Sequence, residues 1–188
     1  MPALPPLMDV AAVIEDAVLD LRYATANNFL GRPVYPTAAA FLRLPTLDKL
    51  SKAAGALRSH EWRLVIYDAY RPLAAQRQFW EAKPDTTFVA DPKKGSNHNR
   101  AAAVDVGLAD LDGKPLPMPS EFDEFGEKAA ASYAGGDAAA RGRRDALRRA
   151  MEAAGFRSIE AEWWHFSDPD GAAWPLLDFD LDLLARRE

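Results

Sequence analysis

The sequence predicts an α+β fold with a central antiparallel sheet flanked by helices, and three observations predict it. Arg63–Tyr70 is rich in β-branched and aromatic residues, as a buried strand requires. Ala138–Ala154 carries Leu147, Ala150, Met151 and Ala154 on one face, the pattern of an amphipathic helix. Strands and helices follow one another without the regular alternation that a parallel sheet needs.

Along the chain, Val10–Leu21 is apolar with acidic interruptions and predicts a strand or short helix leading into Arg22-Tyr23. Asn27–Phe41, with Gly31, Pro33 and Pro36, predicts an irregular loop with extended pieces. A helix follows, with Thr46 as its N-cap and Leu47, Leu50, Ala54 and Leu57 on one face, ending near His60. After the Arg63–Tyr70 strand, Pro72 fits the first turn of a helix whose apolar face is Leu73, Gln76, Phe79 and Trp80. Thr86–Asn97 should be a loop, punctuated by Asp91-Pro92 and Lys94-Gly95.

Ala101–Ala109 clusters small apolar residues around Asp105 and predicts a central strand. Asp112-Gly113 is a hairpin signal, so Leu111–Met118 should turn back on that strand. Asp137 caps the long helix, Gly155 ends it, and Phe156–Ser167 reads as a strand pair or a bent strand.

Composition narrows the function. The 188 residues fit one domain, 1–188, with 48% hydrophobic and 27% charged residues, as in an ordinary globular protein. A net charge of −5 and the lack of a basic run argue against nucleic-acid or anionic-membrane partners. There is no cysteine, which excludes disulfides, cysteine-ligated zinc and thiol catalysis. Met1–Asp9 does not read as a secretory signal, and no apolar run reaches the ~20 residues of a membrane span. A cytoplasmic location is the default expectation, and nothing in the sequence sets an oligomeric state.

Two of the three histidines carry the chemical signal. His98 ends a polar loop seven positions before Asp105, which lies between Val104 and Val106 in an apolar strand. A carboxylate there needs compensation from a metal ion, an arginine such as Arg71 or Arg100, or backbone donors. Glu162-Trp163-Trp164-His165 places a glutamate and a histidine three apart. Each piece alone has a structural explanation: a loop histidine, an ion pair, or a core strand with polar edges. Together, two histidines and a carboxylate suit zinc with a fourth position left for water. Glu162 would then be the base, and Arg71, just beyond a buried strand, would stabilise an oxyanion. His60, at a polar helix end, reads as a surface residue.

The motifs Ser96-x-His98-x6-Asp105, Glu162-Trp163-Trp164-His165 and Tyr67-Asp68-Ala69-Tyr70-Arg71-Pro72 resemble those of the D-alanyl-D-alanine dipeptidases of the VanX type. Arg22-Tyr23-Ala24-Thr25-x-Asn27-Asn28-Phe29-x-Gly31-x-Pro33-Val34, Pro117-Met118 and Phe122-Asp123 are also similar to theirs. The resemblance implies one zinc ion on His98, Asp105 and His165, with Glu162 as base and Arg71 as transition-state stabiliser. It implies that Tyr23 and Asp123, beside Glu162, receive the ammonium of a small dipeptide. It implies that Ser96 helps hold the substrate's other side, while Trp163, with Trp164, reads from its residue type as core and pocket wall in contact with substrate. It implies the compact fold shared by D,D-carboxypeptidases and the hedgehog signalling domain. The stretch between Trp80 and Ser96 is shorter than in enterococcal-type members, and Ala172-Ala173-Trp174-Pro175 has no evident role.

Three rival readings use the same residues. A D,D-carboxypeptidase would share the metal chemistry but need an open cleft and an extracytoplasmic location. A zinc-stabilised binding module would have no use for Glu162 and Arg71. A non-haem iron oxygenase would favour a jelly-roll, which the Ala138–Ala154 helix does not fit.

Overall fold

The two apolar runs become neighbouring strands at the centre of a five-stranded sheet. The computed structural model describes residues 3–186, so the four terminal positions of the expected 1–188 domain lie outside the described residues. In chain order the elements are β1 (Leu7–Asp9), α1 (Val10–Val13), β2 (Val18–Leu19), β3 (Phe41–Arg43) and α2 (Leu44–Leu57). Then come β4 (Arg63–Asp68), α3 (Leu73–Ala82), β5 (Ala103–Ala109) and α4 (Ala138–Ala153). Finally come β6 (Arg157–Ser158), β7 (His165–Ser167) and α5 (Leu181–Ala185).

The large sheet has the order β2-β4-β5-β7-β6, and β1 pairs with β3 in a small separate ribbon. The architecture is the expected α+β, with antiparallel pairing from β4 through β6. One edge differs: β2 runs parallel to β4. Val10–Leu21 is neither one strand nor one helix, because the Glu15-Asp16 turn splits it into a helical turn and a two-residue strand.

Local chemistry explains the helix ends. α4 starts at Asp137, whose carboxylate accepts from the amides of Ala139 and Ala140 at 3.2 and 3.1 Å. It ends before Gly155, which takes the left-handed conformation (φ 102°) that stops a helix without a Cβ clash. α2 corrects one expectation: its N-cap is Arg43, and Thr46 lies inside the first turn. The Thr46 hydroxyl is spent on a buried acid instead, donating to Asp168 Oδ2 at 2.8 Å. The predicted face of Leu47, Leu50, Ala54 and Leu57 is buried, and α2 packs against α4. Pro72 is the N-cap of α3 and not part of its first turn.

The Asp112-Gly113 turn does send the chain back along β5, with Leu116 N donating to Leu108 O at 2.8 Å. The return pairs only as a bridge between Ala109 and Pro115, since Pro115 and Pro117 have no N–H for a ladder. Phe156–Ser167 yields the antiparallel pair β6–β7, and the turn between them carries Glu162.

The Trp174 segment gains a structural role. Pro169–Ala173 forms a 3-10 turn whose Gly171 lies so close to Ala102 that a Cβ would stand 2.2 Å from the alanine methyl. Arg43 stacks on the Trp174 ring at 5.4 Å, and Arg100 donates to the Trp174 carbonyl. Leu177 N donates to Asn99 O at 2.7 Å. The segment therefore buttresses the turn that bears His98. Among the described residues, no helix is long and apolar enough to cross a membrane.

Candidate metal centre and its pocket

Strand register builds the centre. A register shift between Ile66 and Asp68 in β4 brings Asp68 opposite Asp105, and Asp105 in turn stands opposite His165 of β7. Directly opposed residues share a sheet face, so Asp68, Asp105 and His165 form one row across three strands. His98 enters from the 3-10 turn His98–Arg100, which Ala101 closes in the left-handed conformation (φ 55°) just before β5.

Three donor atoms converge there. His98 Nε2 lies 3.1 Å from His165 Nδ1 and 3.3 Å from Asp105 Oδ1, and His165 Nδ1 lies 3.0 Å from the same oxygen. Tetrahedral zinc with bonds of about 2.0–2.1 Å sets its ligands roughly 3.3 Å apart, so this triangle matches one face of such a site. The tautomers agree. His98 Nδ1 is 2.7 Å from the Ala69 carbonyl, which can only accept, so the proton belongs there and Nε2 presents a lone pair. His165 Nε2 is 2.9 Å from Ser167 Oγ, and donation to it leaves Nδ1 free in the same way. Burial holds the His165 pKa below its ordinary value, which keeps the ring neutral. Burial opposes ionisation of Asp105, yet positive charge on the neighbouring imidazoles would hold its carboxyl well below the usual carboxylate range, a role that a bound cation takes when the rings are neutral. Two lone pairs and an anion aimed at one point repel one another until a cation joins them, so the donor set fits zinc.

Arg71 stands behind this triangle. Its Nε and Nη2 donate to Asp68 Oδ2 at 2.9 and 2.8 Å, and its Nη1 donates to Gln76 Oε1 at 3.0 Å. Three of the five guanidinium N–H groups are thus engaged, leaving one on each terminal nitrogen. Burial works against the Arg71 charge, but Asp68 together with Tyr35, Tyr23 and Asp105 outweighs it and holds the pKa above the ordinary value. Asp68 is itself fully buried and held by the Tyr35 hydroxyl at 2.8 Å and the Ala69 amide at 3.0 Å. The bland reading of Asp105 is also partly realised, since Arg71 Nη2 lies 3.7 Å from Asp105 Oδ2.

Arg71, Ser96, His98, Asp105, Glu162 and His165 line one cavity of about 170 Å³. That is smaller than the roughly 300–1,000 Å³ typical of drug-sized pockets, and it suits a molecule the size of a dipeptide. Phe29, Thr86–Ala90, Phe125 and Ile159 complete the wall. Glu162 is buried, and burial, followed by the nearby Asp105 charge, pushes its carboxyl well above the usual range. Ser96 Oγ accepts from the His98 amide at 3.1 Å, which leaves its hydroxyl proton free to donate.

Tyr23 and Asp123 meet beside this cavity but do not line it. The Tyr23 hydroxyl donates to Asp123 Oδ1 at 3.0 Å, and the Phe29 amide lies 3.3 Å from Oδ2. Asp123 adopts φ 64°, uncommon outside glycine, and burial pushes its carboxyl up to about 7. Trp163 does not join the group: its side chain is buried on another cavity, with Nε1 donating to Ser120 Oγ at 2.9 Å. The expected pocket-wall role for Trp163 is therefore corrected, because its indole points away from the metal triangle. His60 is exposed and stacks on Trp62.

Sequence reasoning passed over Asp68, Gln76 and Ser167. Asp68 carried the same signal as Asp105, an acid inside an apolar strand, but Arg71 beside it drew the attention. Gln76 was read as part of an apolar face, and Ser167 had no signal beyond standing two residues after His165 on a strand.

The chain is similar to known proteins along most of its length. A family model described as D-ala-D-ala dipeptidase matches residues 5–181. The D-alanyl-D-alanine dipeptidase of Escherichia coli strain K12 is 39% identical over 171 residues, covering 91% of this chain and 89% of that protein. The D-alanyl-D-alanine dipeptidase of Enterococcus faecium is 31% identical over 168 residues, covering 78% of this chain and 83% of that protein. A solved structure of the vancomycin resistance D,D-pentapeptidase VanY in complex with Zn(II) aligns with a TM-score of 0.46 and 14% identity, over 71% of this chain and 76% of that one. By the extent of the family match and these identities, the chain belongs to the D-Ala-D-Ala dipeptidase family.

Proposed function

We propose that this chain hydrolyses the free dipeptide D-Ala-D-Ala to D-alanine with one zinc ion held by His98, Asp105 and His165. The observation that carries the reading is the converging triangle of two imidazoles and a carboxylate inside a small cavity that Glu162 and Arg71 also line. Zinc bound there would lower the pKa of a coordinated water to roughly 7 and polarise the scissile carbonyl.

The chain's own residues supply the remainder. Glu162 accepts the attacking water's proton and returns it to the leaving amine. Its buried position favours a basic carboxylate suited to that exchange. Arg71 turns its two unengaged N–H groups to the oxyanion, held in place by Asp68 and Gln76. Asp123, held by Tyr23 and the Phe29 amide, supplies negative charge for the substrate ammonium. Ser96 donates its hydroxyl proton to the substrate's other end.

The test is release of D-alanine from D-Ala-D-Ala by the purified protein, with a D-Ala-D-Ala-terminated pentapeptide run in parallel. Rapid release from the dipeptide, stopped by a chelator and restored by zinc, is expected. Cleavage of the pentapeptide in preference to the dipeptide would replace this reading with that of a carboxypeptidase.

A further inference from the structure

Gln76 sits on the buried face of α3 with no solvent exposure, and the two ends of its amide serve different parts of the site. Oε1 accepts from Arg71 Nη1 at 3.0 Å, and Nε2 donates to the Ala90 carbonyl at 2.8 Å. Ala90 ends the Thr86–Ala90 segment, all five residues of which line the cavity. That segment consists of turns. The Phe88 and Val89 amides return to the Asp85 carbonyl at 3.1 and 2.8 Å, and the Thr87 amide returns to Asp85 Oδ1 at 3.0 Å.

Those bonds fix the shape of the segment without fixing its place. Among the described residues, the Gln76–Ala90 bond is the one hydrogen bond tying Thr86–Ala90 to a side chain outside it and its Asp85 neighbour. The rest of its anchorage comes from buried Val89 and from the Phe88 ring, which lies 4.8 Å from that of Phe125 and under the Lys83 ammonium at 5.2 Å.

We propose that Gln76 is a positioning residue that locks the Thr86–Ala90 wall of the pocket onto the Arg71 guanidinium. One side chain then sets both the width of the pocket and the direction of the arginine's free N–H groups. An amide is the neutral group that offers an acceptor to a guanidinium and a donor to a carbonyl at once. A glutamate keeps the first contact and loses the second; a methionine loses both. What the tether does for turnover rests on the dipeptidase reading, whereas the tether itself does not.

The experiment compares the zinc-loaded parent with Gln76→Glu and Gln76→Met, by backbone amide exchange and by kinetics on D-Ala-D-Ala. Exchange of the Thr86–Ala90 amides should quicken roughly ten-fold in both variants, the loss expected for one buried hydrogen bond. Zinc content should stay the same. In Gln76→Glu, KM should rise roughly ten-fold with kcat nearly kept; in Gln76→Met, kcat should fall as well. Unchanged wall exchange in both variants, or an equal kcat loss in both with KM unmoved, would overturn the proposal and leave Gln76 as packing. Should neither variant fold, the parent decides. Slow exchange of the Gln76 side-chain amide protons supports the tether, and free exchange contradicts it. A parent inactive on the dipeptide would sink the dipeptidase reading, while wall exchange would still judge the tether.

Discussion

The pocket has a floor and a wall, and they are built differently. The floor is sheet: Asp68, Asp105 and His165 occupy one row across β4, β5 and β7, and the strand ladders fix their spacing. The wall is loop: Thr86–Ala90, and beside it the Asp123 turn, are held by one or two side-chain hydrogen bonds and by aromatic contacts. With His98 added from the turn that leads into β5, the floor presents donor atoms within 3.0–3.3 Å of one another, a precision that metal binding demands. On the dipeptidase reading the wall has a looser task, which is to admit a dipeptide and exclude larger substrates. Chemistry thus rests on the part of the molecule hardest to move, and selectivity on the part easiest to vary.

The sharpest way to break this division is to damage the floor. Asp105→Asn removes the one anion of the triangle, and zinc affinity should fall well beyond the roughly 10–100-fold that outer partners of a metal site are worth. Equilibrium zinc titration measures it, and activity should fall with occupancy. An Asp105→Asn protein that binds zinc like the parent would place the metal elsewhere.

A change beside the wall should act on substrate and not on metal. Asp123→Asn should raise KM about 30-fold or more, since breaking a buried charge pair costs about 2 kcal/mol or more. Zinc content should remain that of the parent. Burial raises the Asp123 carboxyl to about 7, and the group must be ionised to hold an ammonium. In the parent, 1/KM should therefore climb as pH rises through about 7, and this climb should vanish in Asp123→Asn. The sign for stability is opposite. The folded form holds its proton more tightly than the unfolded chain, so Asp123 favours folding at low pH and loses that contribution as pH rises toward 7.

The smallest effect lies at the edge of the floor. Ser167→Ala removes the partner of His165 Nε2 and frees the imidazole to take the other tautomer. Zinc affinity should weaken about ten-fold while the turnover of fully loaded enzyme changes little. Equal affinity in both proteins would show that strand position alone orients the ring.

The same division governs what the sequence disclosed. Asp105 was legible because an acid inside an apolar strand breaks a local rule, and His98 and His165 because each has a carboxylate partner close in the chain. Their convergence depends on antiparallel register, which follows from the strands once these are recognised. The wall left no such mark. Asp123 was found only through family resemblance, since an acid in a polar loop is ordinary. Gln76 was hidden by periodicity, because an amide with both ends satisfied sits on a buried helix face like any apolar residue. Trp163 neighbours Glu162 in sequence but lines a different cavity, because the chain turns between β6 and β7 at these residues. The parallel edge strand β2 is two residues long and too short to carry a pattern.

The central claim is that Glu162 provides the base beside a metal held entirely by other residues. The direct test is D-alanine release from D-Ala-D-Ala by the parent and by Glu162→Ala, each with its zinc content measured. The account predicts equal zinc in both and a rate roughly 100- to 10,000-fold lower in the variant. A Glu162→Ala protein that keeps its zinc and turns over the dipeptide at the parent's rate would contradict it.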